Sequence, residues 1–314
     1  MPLPASGTIS LNDIATEFGG TAPHSVSEYY GAGGAPASGT ISLASFYGRS
    51  AAFNFTQTIS ADTTNYNLRN AAVAAGWNGT TPLIASVTIN SGVYVSANST
   101  GTWAFDTGSI PAGSTLTLVN NGFIVGMGGA GSAGGDPALG AAGGSPGGPA
   151  LRAQAAISVT NNGTIAGGGG GGGGGNIMWA FAYKGSTGYN APGGGGGGGR
   201  SGRTNSAPGP GTTASGSVTR HAAAGGAGTV SAAGGGGLGA IAADSSTGVT
   251  GYGGTGGAGG GWGATGGTGG TASNSSGSVT GAGCAGGAGG AAVNGNSFIT
   301  WVANGTRLGS INAS

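Results

Sequence analysis

Cysteine, histidine and charge are nearly missing from this 314-residue chain. Its one cysteine, Cys284, excludes an intrachain disulfide framework, and no Cys/His spacing resembles a zinc site. Set in GAGCAGG, Cys284 reads as a small buried residue. Of the two histidines, His24 lies near the start and His221 sits beside Arg220 with no carboxylate in its own loop. Asp136 and Asp244 are the only acids in the glycine-rich middle, so neither a Ser/His/Asp site nor a paired-carboxylate site is spelled out. The glycine runs also lack the lysine of a phosphate loop. The chain therefore reads as no enzyme, with no cofactor and no metal. Charged residues make up 5% of the chain and leave a net charge of +1, which offers no basic face for nucleic acid and no polybasic membrane signal. The start, MPLPASGTISL, lacks the charged and apolar regions of a secretory signal, and no run of 18 apolar residues occurs. The expectation is a soluble protein made in a cytoplasm without a signal peptide and not inserted in a membrane.

What the chain has is glycine, 81 residues of it. Between Gly126 and Ala292 glycine fills 63 of 167 positions, including the unbroken runs Gly167 to Gly175 and Gly193 to Gly199. Glycine loses the most backbone entropy on ordering and has no side chain to bury, so composition alone favours disorder. The arrangement is periodic, however. The chain reads GGTGGAGGG from Gly253, GGTGGT from Gly266 and GGAGGA from Gly286. A period of three matches the polyproline-II helix, whose backbone groups have no internal partners and must find lateral ones. Collagen needs glycine at every third position with abundant proline, whereas these blocks have two glycines in three and no proline. The pattern predicts stacked polyglycine-II helices over 126–292, with Thr255, Ala258, Thr268 and Ala288 on outward ridges. A ten-residue rod would be about 30 Å long.

The first fifty residues hold a repeat, PASGTISLNDIATEFGG from Pro4 and PASGTISLASFYGRS from Pro36. Each copy reads as a strand running into a short helix. Ser10 and Asp13 have capping-box spacing, and Gly19 suits a helix stop. Leu11, Ile14 and Phe18 share one face in the first copy, Leu43, Phe46 and Tyr47 stand in the second, and Tyr29 and Tyr30 lie between. Helices this short are marginal alone, so these apolar faces are expected to dock on a larger assembly. Residues 51–125 read as a small β-rich domain: a helix over Leu68 to Ala75 ended by Gly76, then strands around Val87 and Ile89, Val93 and Val95, and Leu116 and Leu118. Trp77, Trp103 and Phe105 supply its core. A second repeat, VNNGFIVGMGG at Val119 and TNNGTIAGGGG at Thr160, reads as strand, tight turn, short strand and glycine rod, with a looser echo in VNGNSFITW at Val293. Residues 293–314 form a C-terminal β segment.

Segments of different composition separate the glycine blocks: 176–192, 200–223, 240–250 and 271–280. They are expected at the ends of the rods, some at a common tip. Met178, Trp179, Phe181 and Tyr183 crowd between two glycine runs with no room for them, so they either plug the bundle end or form an exposed apolar patch. Tyr189 follows in the same loop, and Tyr252 and Trp262 interrupt later blocks. Lys184, Arg200, Arg203 and Arg220 make the loops net basic.

The alternation of glycine blocks with distinct loops from Gly126 to Ala292 resembles the distal receptor-binding adhesins of T-even-like bacteriophage long tail fibres. PASGTISL and the closing ITWVANGTRLGS are similar to segments of phage tail structural proteins. The resemblance implies a polyglycine-II sandwich whose loops bind a host outer-membrane protein or surface glycan, and an N-terminal region that attaches to other tail proteins in the virion. The doubled PASGTISL departs from the T-even pattern. Whether the bundle closes within one chain or is shared in a homo-oligomer stays open. Two other readings remain: a passive tail-fibre or capsid-decoration protein, and an ice-binding protein presenting Thr255, Thr265, Thr268 and Thr271.

Overall fold

The computed structural model describes residues 3–135, 141–179, 190–214, 219–243, 248–279 and 281–313. Neither copy of PASGTISL forms a strand. The first leads into helix α1, Leu11–Phe18, closed by the capping box in which Ser10 N–H donates to Asp13 Oδ2 at 2.8 Å and Asp13 N–H to Ser10 Oγ at 3.2 Å. Gly19, with φ of +77°, stops it. The second copy makes only a 3-10 turn, Leu43–Phe46. The apolar faces expected to await an outside partner instead pack on one another. Ile14, Tyr29 and Phe46 are buried with Leu3, Ile9 and Ala35, and Leu11, Phe18, Leu43 and Tyr47 pack around them. Tyr29 and Phe18 approach Phe46 at ring centroid distances of 6.2 and 6.0 Å. Tyr47 of the second copy donates its hydroxyl to Gly7 O of the first, and Tyr30, between the copies, donates to Gly39 O of the second.

From Phe53 onward the chain winds as a parallel β-helix of five coils, each placing one strand in each of three five-stranded sheets. The first coil holds Phe53–Ile59, Thr63–Thr64 and Tyr66–Asn67; the second, Leu83–Ile89, Tyr94–Ser96 and Phe105–Asp106. The third holds Thr115–Asn120, Phe123–Val125 and Leu151–Arg152; the fourth, Ile157–Asn161, Thr164–Ala166 and Val293–Asn294; the fifth, Ile299–Ala303, Thr306–Leu308 and Ile311–Asn312. Helix α2, Leu68–Ala74, follows the first coil and buries Leu68 and Ala72. Alternate residues face inward in register, giving the columns Ala85, Leu116, Ile157 and Val87, Leu118, Val159 on the first sheet and Val95, Ile124, Ile165 on the second. The third adds Tyr66, Phe105, Leu151 and Val293. The Asn-Gly repeats are the corners of successive coils, where buried Asn120 donates its amide to Asn161 Oδ1 at 2.8 Å and Asn161 donates to Asn304 O at 2.8 Å. The third copy is therefore Ala303-Asn304-Gly305, and VNGNSFITW is the strand and turn before it.

The strands read as a domain ending at Val125 and those read as a separate terminal segment thus belong to one solenoid. A parallel strand pairs with the coil before it, 41 residues away for Asn120 and Asn161, so no local pattern marks the partner. On the third sheet Asp106 binds Arg152 at 2.6 and 3.0 Å, Gln154 at 2.9 Å, Asn67 at 3.0 Å and the Gly108 N–H at 3.0 Å. Burial alone would raise the Asp106 carboxyl, but the Arg152 guanidinium and the other donors hold it below its ordinary value.

Two coils leave the solenoid at its second corner and return through glycine. The excursion from the third coil supplies a first glycine segment, 126–135, and a second, 142–148. That from the fourth supplies eight more: 167–175, 193–200, 207–210, 223–229, 234–240, 253–261, 264–270 and 283–290. None is helix or strand, and all are joined side to side by backbone hydrogen bonds that recur every third residue. The N–H groups of Gly168, Gly171 and Gly174 donate to Gly148, Ser145 and Ala142, while those of Gly169, Gly172 and Gly175 donate to Arg200, Gly197 and Gly194. The third set, on Gly170, Gly173 and Asn176, donates to Ala264, Gly267 and Gly270. Segment 167–175 accepts in turn from 129–135, 254–263 and 284–290, so six neighbours surround it. Segment 193–200 has six of its own, among them 207–210, 223–229 and 234–240. The adjacency resolves into layers of three, four and three segments, with the two pure glycine runs side by side in the middle and buried throughout. Every neighbour of these two runs comes from the same chain.

The glycines are required by close approach. A β-carbon on Gly171, Gly172 or Gly173 would overlap the carbonyl oxygen of Ala130, Gly257 or Cys284 respectively, well inside the 3.0 Å that real β-carbons respect. Outward ridges have room: Thr255, Ala258, Thr268 and Ala288 are exposed as the triplets predict, and a β-carbon on Gly235 or Gly261 would meet nothing within 4 Å.

Candidate functional site

Hydrogen-bond direction decides where the connections lie. The first and third segments run parallel and continue strands Phe123–Val125 and Thr164–Ala166, and the second and fourth run antiparallel to them. Continued through the lattice, this alternation puts the described residues 176–179, 190–192, 211–214, 219–222, 241–243, 248–252, 271–279 and 281–282 at the far end, remote from the β-helix. Only the turns 201–206, 230–233 and 262–263 lie at the near end. The glycine-poor stretch 200–223 therefore contributes to both ends.

At the far end a three-stranded antiparallel sheet joins Ile241–Ala243, Thr250–Tyr252 and Ser273–Asn274. Directly opposed residues share a face. Ile241 pairs with Tyr252, Tyr252 with Ser273, and Ser273 bridges to Val279, so all four point the same way. Ile241, Tyr252 and Val279 are 62%, 42% and 65% exposed. Leu238, 69% exposed, precedes Ile241 by one turn of the three-residue period on the same outward ridge. The inner face carries Ala242 and Ala272, which pack with Met178 and Ala191 from the hairpin Met178–Trp179 and Asn190–Ala191. A second hairpin pairs Thr213–Ala214 with Arg220–His221, where Thr213 Oγ1 and His221 Nδ1 lie 3.0 Å apart. The result is a small aliphatic plug over the bundle end, topped by an exposed apolar row.

The residues singled out in the sequence separate into three groups. Met178, 2% exposed, belongs to the plug, Tyr252 to the exposed row and Arg220 to the second hairpin, while Trp179 pairs with Asn190 through its backbone. Phe181, Tyr183, Lys184 and Tyr189 lie outside the described residues. Arg200, Arg203 and Trp262 are not at the tip. They sit at the near end, where Arg203 binds Asp62 at 2.6 Å and the Arg200 guanidinium lies 3.6 Å from the Trp262 ring centroid. Glycine blocks alternate in direction, and their composition carries no mark of it, so a loop and a turn look alike in sequence. Leu238, Ile241 and Val279 escaped the sequence reading. The signal for the first two was a large aliphatic side chain recurring at the third position of a glycine triplet, where the blocks at 253–261, 266–271 and 286–291 carry Ala, Thr or Gly.

Among the described residues no helix is long and apolar enough to cross a membrane, and no three His, Cys, Asp or Glu side chains are gathered as metal ligands. Residues 54–312 match the family model described as Phage tail fibre adhesin Gp38. Among solved structures, the gp37-gp38 adhesin tip complex of the bacteriophage S16 long tail fibre contains a chain that matches with a TM-score of 0.51 and 24% identity, covering 95% of this chain and 90% of that one. At that identity the likeness is one of fold. No curated protein sequence matches this chain.

Proposed function

Because this chain belongs to the Gp38 family of phage tail fibre adhesins, we propose that it recognises a host surface receptor through the far-end loops of its glycine lattice, with the β-helix and the module 3–50 on the virion side. The lattice, in this reading, is a sandwich of polyglycine-II helices. Its support is the recurrence of lateral hydrogen bonds at every third residue, which is the repeat of that helix. A rigid lattice projecting loops to one end suits presentation to a surface, and loops held by a scaffold are where binding residues concentrate. The virion tail is the setting that family membership implies, and the chain acts by binding without catalysis.

The observation that carries the reading is the exposed row Leu238, Ile241, Tyr252 and Val279, built on a packed base at the lattice end. Apolar side chains clustered this way mark interaction sites, and Tyr is favoured among binding anchors. The host partner is an outer-membrane protein or a surface glycan. Residues of 176–192, including Trp179, Phe181, Tyr183, Lys184 and Tyr189, and Arg220 of the second hairpin, extend the contact. On the virion side the partner is another tail fibre protein, as the solved S16 structure is a complex of gp38 with gp37. The surface that meets it is not the set Ile14, Tyr29 and Phe46, which is spent in the core of the module.

The experiment is an adsorption assay with phage carrying Ile241→Asp together with Tyr252→Ala. Particles should assemble with normal fibres and adsorb at least about tenfold more slowly, the loss of one anchor of about 1.4 kcal/mol or more. Unchanged adsorption by assembled particles would remove the tip from the receptor contact and leave the passive structural reading. The exposed threonines Thr255, Thr265, Thr268 and Thr271 keep one reading of another class, ice binding. Thermal hysteresis in the purified protein is its direct test.

A further inference from the structure

The chain leaves the β-helix at Gly167 and rejoins it after 283–290, so the six glycine segments between 193 and 270 have no direct passage to the solenoid. Their three near-end turns are nevertheless tied to it and to one another by a single column of side chains. Asp62, at the corner of the first coil, accepts the Tyr94 N–H at 2.8 Å and binds Arg203 Nε of turn 201–206 at 2.6 Å. The Arg203 guanidinium lies 4.4 Å from the Tyr94 ring centroid, and Tyr94 stacks on Phe123 of the next coil at 4.3 Å with 9° between the planes. Phe123 meets Trp262 of turn 262–263 at 6.1 Å, and the Arg200 guanidinium lies 3.6 Å from the centroid of that ring. Two hydrogen bonds close the set. Trp262 Nε1 donates to Ser201 O at 3.0 Å, and Arg200 Nε donates to Val230 O of turn 230–233 at 3.0 Å.

We propose that this column is a clamp: it fixes the half of the lattice that the chain does not itself anchor, and so holds the tip in one orientation relative to the β-helix. The lattice interior is held almost wholly by backbone hydrogen bonds, and few side chains, such as buried Ser132, interdigitate to resist one segment sliding past the next. Backbone bonds from Ser201 N–H to Thr229 O and from Gly263 N–H to Gly167 O also join the near-end turns, and the side-chain column adds to their registry. Cation–π and stacked aromatic contacts supply directional attraction between groups on different segments. Arg200, Arg203 and Trp262 are positioning residues in this account, which explains why these bulky and charged side chains occur at turns where glycine would suffice. Its meaning for tip orientation rests on the tip being the receptor face, but the clamp itself does not.

The test is amide hydrogen exchange on the full chain, comparing Trp262→Ala with the parent. Exchange should rise about tenfold together in 201–206, 230–233 and 262–263, while 116–120 and 157–161 in the β-helix and 241–243 and 250–252 at the tip keep their protection. A rise confined to 262–263, a uniform rise over the whole chain, or no rise would each overturn the clamp. Should Trp262→Ala fail to fold, the pair Arg200→Gln, half-buried, and Arg203→Gln, exposed, is read against the same pattern. Adsorption plays no part in this measurement, so its outcome is independent of the tip variants.

Discussion

The β-helix and the glycine lattice fill their interiors by opposite means. In the solenoid every inward position carries a side chain, and the columns of Leu, Ile and Val remove apolar surface from water. In the lattice nearly all inward positions are glycine, with Ser132 an exception, and the backbones approach until carbonyl oxygens occupy the space a β-carbon would need. One region is held by side-chain burial with hydrogen bonds as ladder, the other by hydrogen bonds with almost no burial term. The same substitution should therefore have opposite meaning in the two, and contrasting variants can break the comparison.

The largest effect is expected from Gly172→Ala. Its β-carbon would overlap Gly257 O, and parting those segments also loosens the bond from Gly257 N–H to Gly173 O. Overpacking of about 1–3 kcal/mol and about 0.5–1.5 kcal/mol for each bond lost sum to about 1.5–4.5 kcal/mol of destabilisation by calorimetry with one bond lost, and more with each further bond. A neutral or stabilising result would show the glycine run to be loose linker. Next comes Leu118→Ala, in the column between Val87 and Val159, with an expected loss of about 2–5 kcal/mol by chemical denaturation. A cost below about 1 kcal/mol would mean that burial is not what holds the coils.

Acid should act on the solenoid first. Because the Asp106 carboxyl is depressed in the fold, its contribution is present above the ordinary carboxylate value of about 4 and is lost as pH falls through the lower folded value. Melting temperature followed from pH 5 to about 2 should drop more steeply for the parent than for Asp106→Asn; parallel curves would sink the assignment. The smallest effects separate ridge from contact. Gly261→Ala, on an open ridge without left-handed φ, should stabilise by about 0.4–1 kcal/mol, and Thr255→Ala should change stability by less than about 0.5 kcal/mol, whereas Gly257→Ala, facing Gly267 O, should destabilise.

Read alone, the sequence determined what is local and periodic. Two glycines in three announce segments packed backbone to backbone, the outward third residue follows from the same repeat, and Ser10 with Asp13 announces a capped helix. The resemblance of the glycine blocks and loops also pointed to a tail fibre adhesin. Pairing and direction were decided only by the tertiary structure. Asn120 finds Asn161 one coil later, and Gly171 chooses Ser145 among many equivalent carbonyls, because a glycine backbone carries no side chain to name its neighbour. Direction then places Tyr252 and Trp262, ten residues apart, at opposite ends of one segment. It exposes the first beside Ile241 and sets the second between Phe123 and Arg200. The N-terminal faces follow the same logic: their amphipathic pattern shows that Ile14 and Phe46 must be covered, and only the fold shows that they cover each other.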